Sequence, residues 1–130
     1  MVNNVNLSQA DSMVMVQETT PLGGGASFIG TTFNVLGYTH IAGFAFSNVA
    51  SATPNGIIIE QALQSADLPA GSPATSLVSR SVYAITAADI DNNAVAVQVV
   101  APFARIIYVN GAAAQATFRM YFAARILRGL

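Results

Sequence analysis

Few residues in this chain have the chemistry to be catalytic or to hold a ligand, and their spacing argues against most of the possibilities. His40 is the single histidine, flanked by Thr39, Ile41 and Ala42 with no acid or nucleophile beside it. A nucleophile-histidine-acid relay assembles in space and not in sequence. Nothing in the spacing points to one here, and an ordinary hydrogen bond from a strand histidine is expected. The stretch Asp89-Ile90-Asp91-Asn92-Asn93 offers oxygen ligands at alternate positions, as a calcium loop does. Ala94 stands where such a loop needs glycine, and no glutamate closes it at the spacing of an EF-hand. The expectation is a polar hairpin loop without bound metal.

Glu60 interrupts the apolar run Ile57-Ile58-Ile59 and is the acid expected to be partly buried. A buried carboxylate needs a partner, and an arginine of a neighbouring strand, Arg105 or Arg119, is the candidate. A glycosidase pair would need a second acid close by, whereas Asp67, Asp89 and Asp91 all fall in loop-like sequence. Gly23-Gly24-Gly25 is followed by neither Lys-Ser/Thr nor a helix start, so it is not a phosphate loop. Tyr38, Tyr83, Tyr108 and Tyr121 would stack on sugar rings only if one face gathered them, and the chain has no tryptophan to strengthen such a platform. No enzyme and no cofactor is expected.

The elements that would carry these residues read as strands. Short β-branched and aromatic runs are separated by Gly, Pro, Asn and Ser. Candidates lie near 13–18, 32–36, 39–47, 57–62, 81–86, 94–100, 103–109 and 117–126. In the last, Phe118, Met120, Phe122, Ala124 and Ile126 alternate with Arg119, Tyr121, Ala123 and Arg125, which favours a strand with the phenylalanines on one inward face, an amphipathic helix among the good helix formers of 112–130 being the alternative. Pro102 divides the apolar stretch 95–109, and Asn110-Gly111 has the residue types of a tight turn. The fold expected is all-β, an antiparallel β-sandwich or jelly roll of about eight strands over residues 31–130. Residues 1–30, with one strand-like stretch and the Pro21-Leu22-Gly23-Gly24-Gly25 joint, read as an extended N-terminal arm. Residues 64–79 read as a long exposed loop.

Composition narrows the function classes. The 130 residues are 53% hydrophobic but only 8% charged, against roughly 25% charged in ordinary soluble domains. With mean hydropathy at +0.52, apolar surface should remain after folding, and other subunits are its natural cover. All five basic residues are arginine, a side chain suited to interfaces. Net charge is −1, so no global field attracts nucleic acid. Residues 1–79 carry Asp11, Glu18, Glu60 and Asp67 without a base, and residues 80–130 carry five arginines against Asp89 and Asp91. There is no cysteine, hence no disulfide framework and no thiolate site. The start Met1-Val2-Asn3-Asn4 lacks a secretory pattern, and the uncharged stretch 19–59 is broken by polar residues short of a membrane span of about 18.

Gly56-Ile57-Ile58-Ile59-Glu60-Gln61, the run from Gln98 through Pro102-Phe103-Ala104-Arg105 to Asn110-Gly111, and Gln115-Ala116-Thr117-Phe118-Arg119-Met120-Tyr121 together resemble a β-sandwich module of phage and virus structural proteins, namely capsid decoration or cement proteins and tail-fibre heads. The resemblance covers roughly residues 38–127. It implies a virion structural protein on the capsid exterior, a decoration or cement subunit that forms a homo-oligomer, a trimer, and contacts the major capsid protein or other virion subunits. A small jelly-roll coat or fibre protein and a carbohydrate-binding sandwich are the alternatives. The expected assembly contacts are Met13, Val14, Met15 and Val16 in the arm, which would add to a neighbouring sheet, and Arg105, Arg119 and Arg125.

Overall fold

The computed structural model describes residues 12–86 and 93–126. These residues form nine strands, β1 Ser12–Glu18, β2 Ser27–Ile29, β3 Phe33–Asn34, β4 His40–Ser47, β5 Ile57–Ala62, β6 Ser79–Tyr83, β7 Ala94–Gln98, β8 Phe103–Val109 and β9 Phe118–Arg125. They make two antiparallel sheets. The first has the order β1-β9-β4-β7, and the second β2-β8-β5-β6 with β3 also on β8. The β-sandwich expected from the alternation is therefore present.

The core lies between the sheets. Phe118, Met120, Phe122 and Ala124 of β9 meet Ile57 and Ile59 of β5 and Ile106 and Tyr108 of β8. The Tyr108 and Phe118 rings, one from each sheet, are tilted by 57° with centroids 4.8 Å apart. Gln61, on the inner face of β5, accepts from the Val100 amide at 2.8 Å and donates to the Gln98 carbonyl at 2.9 Å. One buried side chain thus pins the corner where Ala101-Pro102 sends the chain from the first sheet to the second.

The arm expectation is corrected. Residues 12–29 supply β1 and β2 of the sandwich itself, β1 pairing with β9 from Ser12 opposite Arg125 to Glu18 opposite Met120. A bulge between Val14 and Val16 explains why strict alternation misreads this strand. The extra residue lets Met15 and Val16 both turn into the core, at 6% and 4% exposure, while Val14 stays outside. Residues 1–11 of the expected arm lie outside the described residues.

The glycine joint is likewise held in place. Gly25, at φ +71°, donates to the Gly111 carbonyl at 2.7 Å. The Asn110 side-chain amide donates to the carbonyls of Gly23 at 2.9 Å and Ala113 at 2.8 Å. A Cβ on Gly24 would collide with the Ala112 carbonyl, so glycine is needed there for the two backbones to approach. Asn110-Gly111 makes no hairpin: β8 and β9 belong to different sheets, and residues 110–117 cross between them.

Candidate functional site

The two outer faces of the sandwich differ, and the contrast defines the candidate surface. On the second sheet, Glu60 of β5 stands opposite Arg105 of β8 and Arg80 of β6. Arg105 donates from Nε to Glu60 Oε1 at 2.8 Å, from Nη1 to the Pro69 carbonyl at 2.7 Å and from Nη2 to the Ser72 carbonyl at 2.8 Å. Arg80 reaches Glu60 Oε2 only at 4.0 Å and is largely solvated. Segment 63–78 thus lies over this face as a cover. Thr32 donates to the Leu68 carbonyl at 2.9 Å, and the Leu68 side chain is buried. With both faces covered, all six residues of β5 are buried and the strand shows no alternation. The expected exposed loop is exposed only on its outside. Arg105, expected as an assembly contact, is fully buried in an internal ion pair.

The outer face of the first sheet has no such cover among the described residues, and register places its side chains in ranks. Val14, Ala123, Ala42 and Ala96 form one rank across the sheet, and Gln17, Tyr121, Phe44 and Ala94 the next. Ser12, Arg125, His40 and Gln98 bound them on one side, and Arg119 beside Phe46 on the other. The Arg119 guanidinium sits 5.2 Å from the Phe46 ring centroid, a cation–π distance. Polar residues are expected on the solvated face of an antiparallel sheet. Here two ranks are mostly alanine and aromatic and hold no charge, and arginines stand in the positions that bound them. Glu18 stands at the margin, where a groove of about 220 Å³ is lined by Gln17, Glu18, Phe44, Arg119 and Tyr121.

Of the expected assembly contacts, Val14, Arg119 and Arg125 converge on this face. Met15 and Val16 do not, being core, and Met13 packs partly buried against the core. The alanine ranks were missed in the sequence, although the alternation Ala94-Val95-Ala96-Val97 carried the signal that one face would be flat and apolar.

The remaining chemistry-bearing residues are dispersed. His40 faces Arg125 and Gln98 across the sheet and hydrogen-bonds Thr39 Oγ1 at 3.0 Å. Glu60 pairs with Arg105 and not with Arg119, which lies in the other sheet. Asp89 and Asp91 lie outside the described residues; Asn93, at the end of that stretch, is buried and donates to the Thr86 carbonyl at 3.3 Å. Among the described residues no cluster of His, Cys, Asp or Glu is placed to hold a metal. Tyr108 is in the core, Tyr38 packs against it, Tyr83 lies on β6 and Tyr121 on the first sheet, so the tyrosines form no common row. Burial raises the Tyr108 pKa, and the polar groups of Ser47 and Gln115 partly offset this. Those groups are near the hydroxyl, yet it makes no hydrogen bond of ordinary geometry.

Residues 3–125 match the family described as the uncharacterised protein YqxG N-terminal domain. No curated protein sequence matches. Among solved structures, the PBSX exported protein XepA superposes with a TM-score of 0.59 at 18% identity over the whole chain. The chain spans 42% of the length of that protein, and at this identity the likeness establishes a shared fold. A subunit of the disulfide-linked pili of Bacillus endospore appendages aligns over 96% of this chain and 99% of its own at 11% identity, with a TM-score of 0.36, too low to carry an argument.

Proposed function

This chain belongs to the YqxG N-terminal domain family, and on that premise we propose that it is a structural building block of an exported, phage-related assembly and not an enzyme. The observation that carries the reading is the outer face of the first sheet, where apolar ranks bounded by Arg119 and Arg125 leave Val14, Ala94 and Ala96 exposed and Ala42, Phe44 and Tyr121 half-buried, in a chain with only 8% charged residues. Such a face is suited to cover by other subunits, with arginine at its margins to meet their carboxylates and carbonyls. The fold shared with an exported protein of PBSX supports a place outside the cell.

The finer reading is a decoration or cement subunit on the capsid exterior, making a homo-oligomer and resting on the major capsid protein. The apolar face would seat on the lattice, and neither nucleic acid nor membrane takes part. A coat or fibre module would use the same face against its own neighbours.

Gradient fractionation of the medium of producing cells tests this reading. The chain should co-sediment with particles, and Phe44→Glu should release it without unfolding it. Recovery of the wild-type chain only as a slow, free species would overturn the proposal.

A further inference from the structure

Among the described residues the four most exposed large aliphatic side chains lie at one pole of the sandwich. Leu36 is 74% exposed, Leu63 65%, Val100 53% and Val78 49%. Backbone contacts bring them together. The Val78 amide donates to the Gln61 carbonyl at 2.8 Å, and the Val100 amide to the Gln61 side chain at 2.8 Å. The Val35 amide donates to the Pro102 carbonyl at 2.7 Å, and Leu36 and Val100 line one depression of about 290 Å³. The four side chains therefore follow the end of the second sheet, in the order of β3, β8, β5 and β6. Segments 34–37, 61–64, 76–79 and 98–102 contain no Asp, Glu, Lys, Arg or His. Loop ends are normally where a sandwich concentrates polar residues.

We propose that this pole is a self-association surface on which a second copy of the chain docks pole to pole about a two-fold axis. The inference rests on the reading of the chain as an assembly subunit and names the surface by which copies meet. A two-fold interface sets a patch against itself, so a patch with net charge opposes its own pairing. The four segments that carry the patch have no charge of their own to oppose such pairing, and the nearest charged side chain on the first sheet, Arg125 opposite His40, stands at their rim. The exposed area of the four residues amounts to roughly 400–500 Å² per copy, so a pair would bury about 800–1,000 Å², the size of a weak, reversible interface. The depression beside Leu36 accepts an aliphatic side chain of the second copy. Pairing through the pole leaves the apolar face of the first sheet free for a different neighbour.

Sedimentation equilibrium on the wild type, Leu36→Glu/Leu63→Glu and Val14→Glu, with circular dichroism on each, decides the matter. All three positions are exposed, so the variants should fold. The wild type should reach twice the chain mass at high concentration. The pole variant should weaken pairing by roughly 100-fold, since it buries charges in an apolar interface, while Val14→Glu on the other face should pair like the wild type. Undiminished pairing in the pole variant, or loss of pairing in Val14→Glu alone, overturns the inference. A wild-type chain that stays monomeric to millimolar concentration yet co-sediments with particles overturns the inference and leaves the assembly reading standing. Failure to co-sediment, with pairing intact, sinks that reading and not this surface.

Discussion

The Arg105 guanidinium and the Glu60 carboxylate meet at 2.8 Å on the outside of a sheet, yet both are buried, because segment 63–78 closes over them and takes two further hydrogen bonds from the same guanidinium. The ion pair and the cover are mutually dependent. Arg105 satisfies the Pro69 and Ser72 carbonyls that fold the segment down, and the segment excludes the water that would otherwise solvate the pair.

Arg105→Met should therefore cost about 3–5 kcal/mol, the range for breaking a buried pair and stranding its partner. The double variant Arg105→Met/Glu60→Leu should recover part of that loss. Urea denaturation measures both, and limited proteolysis should show cleavage within 63–78 in the single variant. A loss below about 0.5 kcal/mol, the range of ordinary surface substitutions, would mean that the pair does not hold the cover.

Phe122 is fully buried at the centre of β9. Its replacement by alanine should destabilise the fold by about 3–5 kcal/mol through lost burial and the cavity left behind. Thermal and chemical unfolding should agree on this, and a surface-like effect would place β9 in the wrong register.

Deleting residues 1–22 should abolish cooperative folding. The deletion removes Met15 and Val16 from the core and strips β9 of its outer partner strand. Circular dichroism and a melting curve read the outcome. A truncated chain that still unfolds cooperatively with native strand content would restore the view of β1 as a detachable arm.

Tyr108 gives the fold an alkaline limit. Burial raises its pKa in the folded chain, whereas the unfolded chain ionises near the ordinary value of about 10. Above that value the unfolded state binds fewer protons than the folded state, so stability is full below it and falls as pH rises toward the folded pKa. Tyr108→Phe should remove this part of the alkaline loss. At neutral pH it should cost little, because the hydroxyl makes no good hydrogen bond. Denaturation curves across the alkaline range, with tyrosinate absorbance, test both halves. An unaltered alkaline slope in Tyr108→Phe would assign the loss to other groups.

How much of this was legible in the sequence follows from which interactions are local. Period-two alternation placed Phe118, Met120 and Phe122 inward on β9, and Pro102 marked the break between β7 and β8, because side-chain direction in a strand and the missing proline amide are properties of the residues themselves. The need of Glu60 for an arginine partner was legible for the same reason, since it follows from the cost of burying a charge. The choice of Arg105 over Arg119 was not, for it depends on which strand lies beside β5. Tertiary structure alone decided that residues 12–29 belong to the sandwich, that a bulge turns both Met15 and Val16 inward, and that 63–78 folds back as a cover. Each of these rests on pairing between residues far apart in the chain. A local pattern carries the cost of leaving a group unpaired or exposed, but only the folded arrangement supplies the partner that meets it.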